Sequence, residues 1–205
     1  MTATVVVADA DTLFPAAMRG LLIYLDYEGA IRLHWSPMIL DEVSRALVDA
    51  GRKATLADAK ANEDRMRDAL PNALVAAADV QAQFKAVAPA VRSAKDVHVA
   101  ACAYALHALR AYPGNPVVAL VTRNARDFRK GALADLGIAL RRPDEFLPGL
   151  LDTAPAEFAA AFQRFRMDLA SQPAPEALLA LLHKSGLERT AQKAQDLHQA
   201  RRLRL

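Results

Sequence analysis

The stretch Val5-Val6-Val7-Ala8-Asp9-Ala10-Asp11-Thr12 decides how this chain folds. Three valines and an alanine in unbroken sequence read as a strand buried on both faces, the kind found in parallel sheets. Two carboxylates follow where the strand must end. A second run of the same kind, Val117 to Val121, ends in Thr122-Arg123-Asn124-Ala125-Arg126-Asp127-Phe128. Strand-like and helix-like segments alternate through this region, which predicts an α/β fold with a central parallel sheet.

Working outward, residues 13–28 read as a helix with Leu21, Leu22 and Leu25 on its apolar side, stopped by Gly29. Residues 31–35 are a second strand. Ser36 is an N-cap and Pro37 suits the first turn of the next helix, which Gly51 ends. Thr55 with Asp58 makes a capping box that opens a charged helix to about Leu70. Residues 73–76 are expected as a short third strand and 79–87 as a helix. The proline-bearing 88–93 is a loop, and 95–109 a strongly apolar helix. The strand at 117–121 precedes a helix over 128–136 and a last, edge-like strand at 138–140. Beyond Pro143 only helices are expected: 156–170, carrying the packing stripe Phe158, Phe162 and Phe165, then 176–183 and 187–202. The expected division is an α/β domain over 1–150 and a three-helix extension over 151–205.

A 205-residue chain with 53% hydrophobic and 24% charged residues buries a normal core, which excludes the disordered class. No apolar run approaches the roughly 20 residues that span a bilayer, so no membrane role is expected. The first residues carry no basic leader, which makes the cytoplasm the expected location. Cys102, the single cysteine, sits in apolar Ala100-Ala101-Cys102-Ala103 and reads as packing. The histidines show no zinc-ligand spacing. Net charge is only +3, yet Arg19, Arg123, Arg126, Arg129 and Lys130 cluster near the acids and further cations crowd the C-terminus, a hint of nucleic acid.

Open parallel sheets bind ligands beyond the carboxyl ends of their strands, where the strand order reverses. If the strand at 117–121 returns beside the first strand, that crevice lies between Ala8-Asp9 and Val121-Thr122. Asp9 and Asp11 lie on one side of it. Glu42 sits on the helix after the second strand, and Asp96 opens the helix after the proline-bearing loop. Each acid alone reads as a helix cap or dipole partner. Gathered together, they are the donor set that holds hard divalent cations beside phosphates.

Taken in order, Val5–Leu13, the Glu42 helix, Lys95-Asp96-Val97-His98-Val99-Ala100-Ala101 and Val121–Phe128 resemble the motifs of PIN-domain ribonucleases. They are most similar to VapC-type toxins of toxin–antitoxin pairs. The resemblance covers about residues 4–147 and implies a three-layer α/β/α domain. A VapC-like subgroup with a helical C-terminal extension resembles 151–205. Position by position, Asp9, Glu42 and Asp96 match the metal-site acids. The fourth acidic position departs from the pattern, and either Asn124, as a neutral ligand or water-orienting group, or Asp127 fills it. Asp11 and Thr122 are supporting residues, and Arg19, Arg123 and Arg126 are candidate RNA contacts. The implied cofactor is Mg²⁺ or Mn²⁺, as one or two ions. The implied substrate is structured RNA, with transfer RNA as the family-level expectation. The implied partners are a cognate antitoxin and a second copy in a homodimer. Packed acids also predict raised carboxylate pKa values without metal.

Two other readings compete. Asp9-Ala10-Asp11-Thr12 is similar to the opening motif of haloacid dehalogenase-type phosphatases, with Asp9 as nucleophile and Asp11 as acid; no later strand carries the paired acids that such enzymes use. A non-catalytic RNA-binding or partner-binding module is the third. His98 is expected as a local polar or packing residue rather than a base.

Overall fold

The computed structural model describes residues 3–205; Met1 and Thr2, with which the expected first domain begins, lie outside the described residues. In chain order the elements are β1 (Thr4–Ala8), α1 (Ala10–Leu13), α2 (Ala16–Tyr27), β2 (Ile31–His34), α3 (Pro37–Asp49), α4 (Leu56–Ala69), α5 (Ala77–Ala82), α6 (Phe84–Val87), α7 (Val97–Ala108), β3 (Val118–Val121), α8 (Lys130–Asp135), β4 (Ile138–Arg141), α9 (Pro143–Thr153), α10 (Pro155–Asp168), α11 (Pro175–Lys184) and α12 (Glu188–Gln199). The chain divides into two compact units. One holds Thr4–Phe14 and Arg32–Arg141; the other holds Pro15–Ile31 and Arg142–Leu205.

The first unit is built on a four-stranded parallel sheet of order β2-β1-β3-β4. β1 runs parallel to β3 with Ala8 opposite Val121, and β3 runs parallel to β4 with Val118 opposite Ile138. The return of β3 beside β1 is the order reversal expected from sequence, and the Asp9 amide extends the pairing by donating to the Val121 carbonyl at 3.0 Å. Val5 to Ala8 and Val118 to Val121 are all buried, as continuous apolar strands require. The apolar α7 packs on both central strands. Local signals hold where they were strongest. The Ser36 hydroxyl accepts from the Ile39 amide at 3.3 Å at the start of α3. Gly51 takes φ +64° just beyond that helix, a conformation that costs a side-chain-bearing residue. Thr55 and Asp58 form the reciprocal capping box of α4.

Three local expectations are corrected. Residues 73–76 make no strand: Leu74 forms one isolated bridge to Trp35, and the alanines that follow start α5 instead. The helix expected over 13–28 is broken, because Pro15 lacks the N–H that a continuous helix needs and holds extended backbone ahead of α2. The helix expected from Phe128 starts at Lys130, because Phe128 is extended at φ −118°, ψ 150° and bridges antiparallel to Val91.

The second unit is all helical. It holds α9, a helix beyond those expected, then the three expected helices α10, α11 and α12, and it also takes in α2. α10 packs along α2, where Gly20 admits the Phe165 ring: a Cβ at Gly20 would lie 2.4 Å from a ring carbon. Phe158 and Phe162 are fully buried, so the aromatic stripe is packing. Asp144 of α9 caps α12, accepting from the amides of Arg189 and Thr190 at 2.8 Å and from the Thr190 hydroxyl at 2.7 Å. Among the described residues no helix is long and apolar enough to cross a membrane. The chain is therefore α/β about a parallel sheet, with an all-helical C-terminal extension.

Candidate active site

The strand ends dictate where the acids stand. β1 stops at Ala8, and Asp9 becomes the N-cap of α1, its Oδ1 accepting from the Ala10 amide at 2.6 Å. Its Oδ2 accepts from the hydroxyl of Thr122, the residue after β3, at 2.8 Å. Asp9 is 6% exposed and Thr122 wholly buried, so the contact is sequestered from solvent. Burial pushes the Asp9 carboxyl up to about 7, with Asp11 and then Glu42 adding repulsion; the hydrogen bonds from Thr122 and Ala10 work the other way without offsetting it.

Asp11 faces the same turn with different work. It accepts from the Arg123 amide at 3.0 and 3.1 Å and from the Asn124 amide at 3.0 Å, and it lies 3.2 Å from the Thr122 hydroxyl. Its oxygens therefore hold the chain that leaves β3. A hydrolytic acid needs a free proton-bearing oxygen near substrate, so this engagement speaks against Asp11 as the acid of a phosphatase.

Glu42, half exposed on α3, faces α7. Its Oε2 is 3.3 Å from Nε2 of His98. The other ring nitrogen, Nδ1, is 2.7 Å from the Lys95 carbonyl. A carbonyl only accepts, so Nδ1 carries a proton. A lone pair on Nε2 would then face a carboxylate, which favours the doubly protonated ring. Burial opposes that charge, but Glu42, the Lys95 carbonyl and Asp9 outweigh it and raise the His98 pKa. His98 in turn holds Glu42 below the usual carboxylate range, against the cost of burial.

Asp96 ends a short turn at the entrance to α7, and its pKa is raised, first by burial and then by Asp127 and Glu42, while Ser93 and His98 oppose. Asp127 comes near because two loops are stitched together. Val91 bridges Phe128, the Arg92 amide donates to the Asp127 carbonyl at 2.7 Å, and the Arg129 amide donates to the Ala90 carbonyl at 2.8 Å. The Asp127 carboxylate also accepts from the Asn124 side-chain amide, whose oxygen accepts from Arg126 Nε at 3.1 Å. Both candidates for the fourth position thus stand together as one hydrogen-bonded pair.

Asp9, Asp11, Glu42, Asp96 and Asp127 therefore share one electrostatic neighbourhood beyond the carboxyl ends of β1 and β3. The expected raised pKa values are found at Asp9 and Asp96. Glu42 shows the opposite shift, because His98 answers its charge. Among the described residues no three His, Cys, Asp or Glu side chains form a group that could hold a metal ion as they stand. Each acid is turned to a local partner: Asp11 to backbone amides, Glu42 to His98 and Asp127 to Asn124. The donors are all hard oxygens, and a buried carboxylate beside like charges gains from a nearby cation. That chemistry fits Mg²⁺ or Mn²⁺, which bind few carboxylates and keep water ligands. Arg123 and Arg126 are exposed on the turn beyond β3, whereas Arg19 falls on α2 and belongs to the helical unit. His98 is the polar residue expected, and the structure supplies its partner. Its signal, two residues after Asp96, is local, while its partner Glu42 is remote in sequence.

A family model described as the VapC50 C-terminal domain matches residues 143–196, a span that runs from the start of α9 into α12 and points to a VapC-type family. No curated protein and no solved structure matches the chain.

Proposed function

We propose that this protein is a divalent-metal-dependent endoribonuclease acting as the toxin of a toxin–antitoxin pair, cutting phosphodiester bonds in structured RNA. The observation that carries this reading is the electrostatic convergence of Asp9, Glu42 and Asp96 at the strand-order reversal. The VapC-type match over 143–196 supports the toxin assignment and, with it, a cognate antitoxin. In this reading residues 1–150 are the PIN-like nuclease domain and 151–205 its extension, and the active species is a homodimer.

Asp9, Glu42 and Asp96 would hold the cation, with Asn124 or Asp127 completing the set. A bound Mg²⁺ or Mn²⁺ supplies an activated water and charge stabilisation at the phosphate. The chain's own groups prepare the place. Thr122 and the Ala10 amide orient Asp9, Asp11 fixes the turn that carries Asn124, and the loop stitching brings Asp127 to Asp96. His98 keeps Glu42 ionised and directed.

The test is isothermal titration of Mg²⁺ and Mn²⁺ into the wild-type chain, Asp9→Asn and Asp96→Asn, beside mapping of cellular RNA ends after brief induction. Divalent binding that both variants weaken, and new RNA ends that Asp96→Asn abolishes, are expected. RNA ends that appear equally with Asp96→Asn would sink the nuclease reading.

A further inference from the structure

The loop stitching does more than bring Asp127 to Asp96. It also sets two basic segments side by side. Residues 88–96 carry Arg92 and Lys95, and residues 122–130 carry Arg123, Arg126, Arg129 and Lys130. The acids within these segments are Asp96 and Asp127 alone. All six cationic residues are exposed. Elsewhere in the chain Lys60, Arg67, Arg164 and Lys193 are neutralised by carboxylates at 2.6–3.2 Å. Among the described residues Arg92, Lys95, Arg126, Arg129 and Lys130 have no such ion pair.

Two of these cations are held by hydrogen bonds within the two loops. Arg126 Nε donates to Asn124, the partner of Asp127. Arg129 Nη1 donates to the Pro89 carbonyl at 2.7 Å, lying back across the opposite loop. Lys95 lines, with Glu42 and His98, an open cleft of about 860 Å³. Like charges crowded on two pinned loops repel one another, and in a folded chain that arrangement is relieved by a polyanion. A strand of phosphates matches it, with one anionic group per nucleotide to set against successive guanidinium and ammonium groups.

We propose that the Val91–Phe128 clasp builds a phosphate-binding face, through Arg92, Arg129 and Lys130 with Lys95 and Arg126, that grips the RNA strand alongside the acidic centre. The proposal rests on the nuclease reading for its ligand, but it divides the labour differently. The clasp sets affinity and register, and the acids set the chemistry. It takes the RNA contacts beyond Arg123 and Arg126 to a second loop that no local sequence signal joins to them.

The test uses the full chain carrying Asp96→Asn, so that RNA survives, and a labelled structured RNA read by fluorescence anisotropy across a salt series. Arg92→Ala/Arg129→Lys/Lys130→Ala and Arg92→Ala/Arg129→Ala/Lys130→Ala are compared with the parent and with Arg52→Ala/Lys53→Ala/Arg65→Ala. Each lost phosphate contact lowers the salt slope by roughly 0.7–0.9, so the clasp triple-alanine chain should bind roughly 30- to 100-fold more weakly at 0.15 M salt. The variant retaining Lys at 129 should keep about one contact more. The three remote alanines should change binding little. Unchanged affinity and slope in the clasp variants, with circular dichroism showing the same fold, overturn the proposal, as does an equal loss in the remote variant. Weakened clasp binding beside a wild-type chain that leaves the same RNA uncut with Mg²⁺ or Mn²⁺ supplied supports the clasp and removes the nuclease reading instead.

Discussion

The Thr122 hydroxyl stands 2.8 Å from the Asp9 carboxylate, joining residues 113 positions apart across the ends of two neighbouring parallel strands. Neither has solvent to fall back on, so each satisfies the other. This one contact ties the leading acid of the candidate site to the turn that bears Asn124 and Asp127.

Thr122→Val keeps the shape of the side chain and removes the donor. The Asp9 carboxylate then loses a bond to its charged form, and its pKa rises further. The expected cost is about 1–3 kcal/mol at pH 8 and less at pH 5, where Asp9 is already protonated. Urea unfolding at the two pH values reads the difference, and an equal cost at both would contradict the assignment.

Asp9 itself makes the fold pH-sensitive. Its carboxyl titrates at about 7 in the folded chain against 3.8 unfolded, so between those values the native state binds the extra proton. Stability from this group is present below the unfolded pKa and is lost as pH rises through the folded one, by at most about 4 kcal/mol. Asp9→Asn should therefore be more stable than wild type at pH 8, with the gap closing toward pH 5. Added Mg²⁺ or Mn²⁺ should raise the melting temperature of wild type and not of the variant. A gap independent of pH would rule the effect out.

His34 acts in the opposite sense. Burial holds its ring down to about 4, against the pull of the Ala73 carbonyl, while Nε2 sits 2.6 Å from the Tyr112 hydroxyl. Between about 4 and the ordinary 6.5 the unfolded chain binds the proton instead, so stability grows with pH across that window. The two groups partly cancel in the wild type. In Asp9→Asn the acid limb should steepen by about 3 kcal/mol over that range, and an NMR titration should find the His34 ring neutral down to pH 5. A ring that titrates near 6.5 would contradict this.

Gly20→Ala should loosen the helical unit. Its new methyl meets the Phe165 ring, and overpacking of this kind costs about 1–3 kcal/mol. The double variant with Phe165→Leu should recover part of that loss in a mutant cycle. Strict additivity would show that the two residues do not meet.

Sequence alone determined whatever a short window encodes. The valine run of β1, the Ser36-Pro37 start of α3, the Thr55–Asp58 box, and the placing of Asp9 and Asp96 at helix starts and of Glu42 within α3 all follow from neighbours within a few residues. Where a window was ambiguous it misled. Residues 73–76 have strand-like apolarity but only one rung to pair with, and Phe128, which suits a helix start in sequence, is held extended by its bridge to Val91.

Tertiary structure alone decided the partners. It set His98 against Glu42, turned Asp11 to the backbone beyond β3, joined Asn124 to Asp127 and gathered α2 with the C-terminal helices. The physical reason is range. Helix caps and strand periodicity act through bonds and steric contacts along the chain. Charge pairing and burial depend on which surfaces meet in space, and those distances exist only once the sheet has closed β3 against β1.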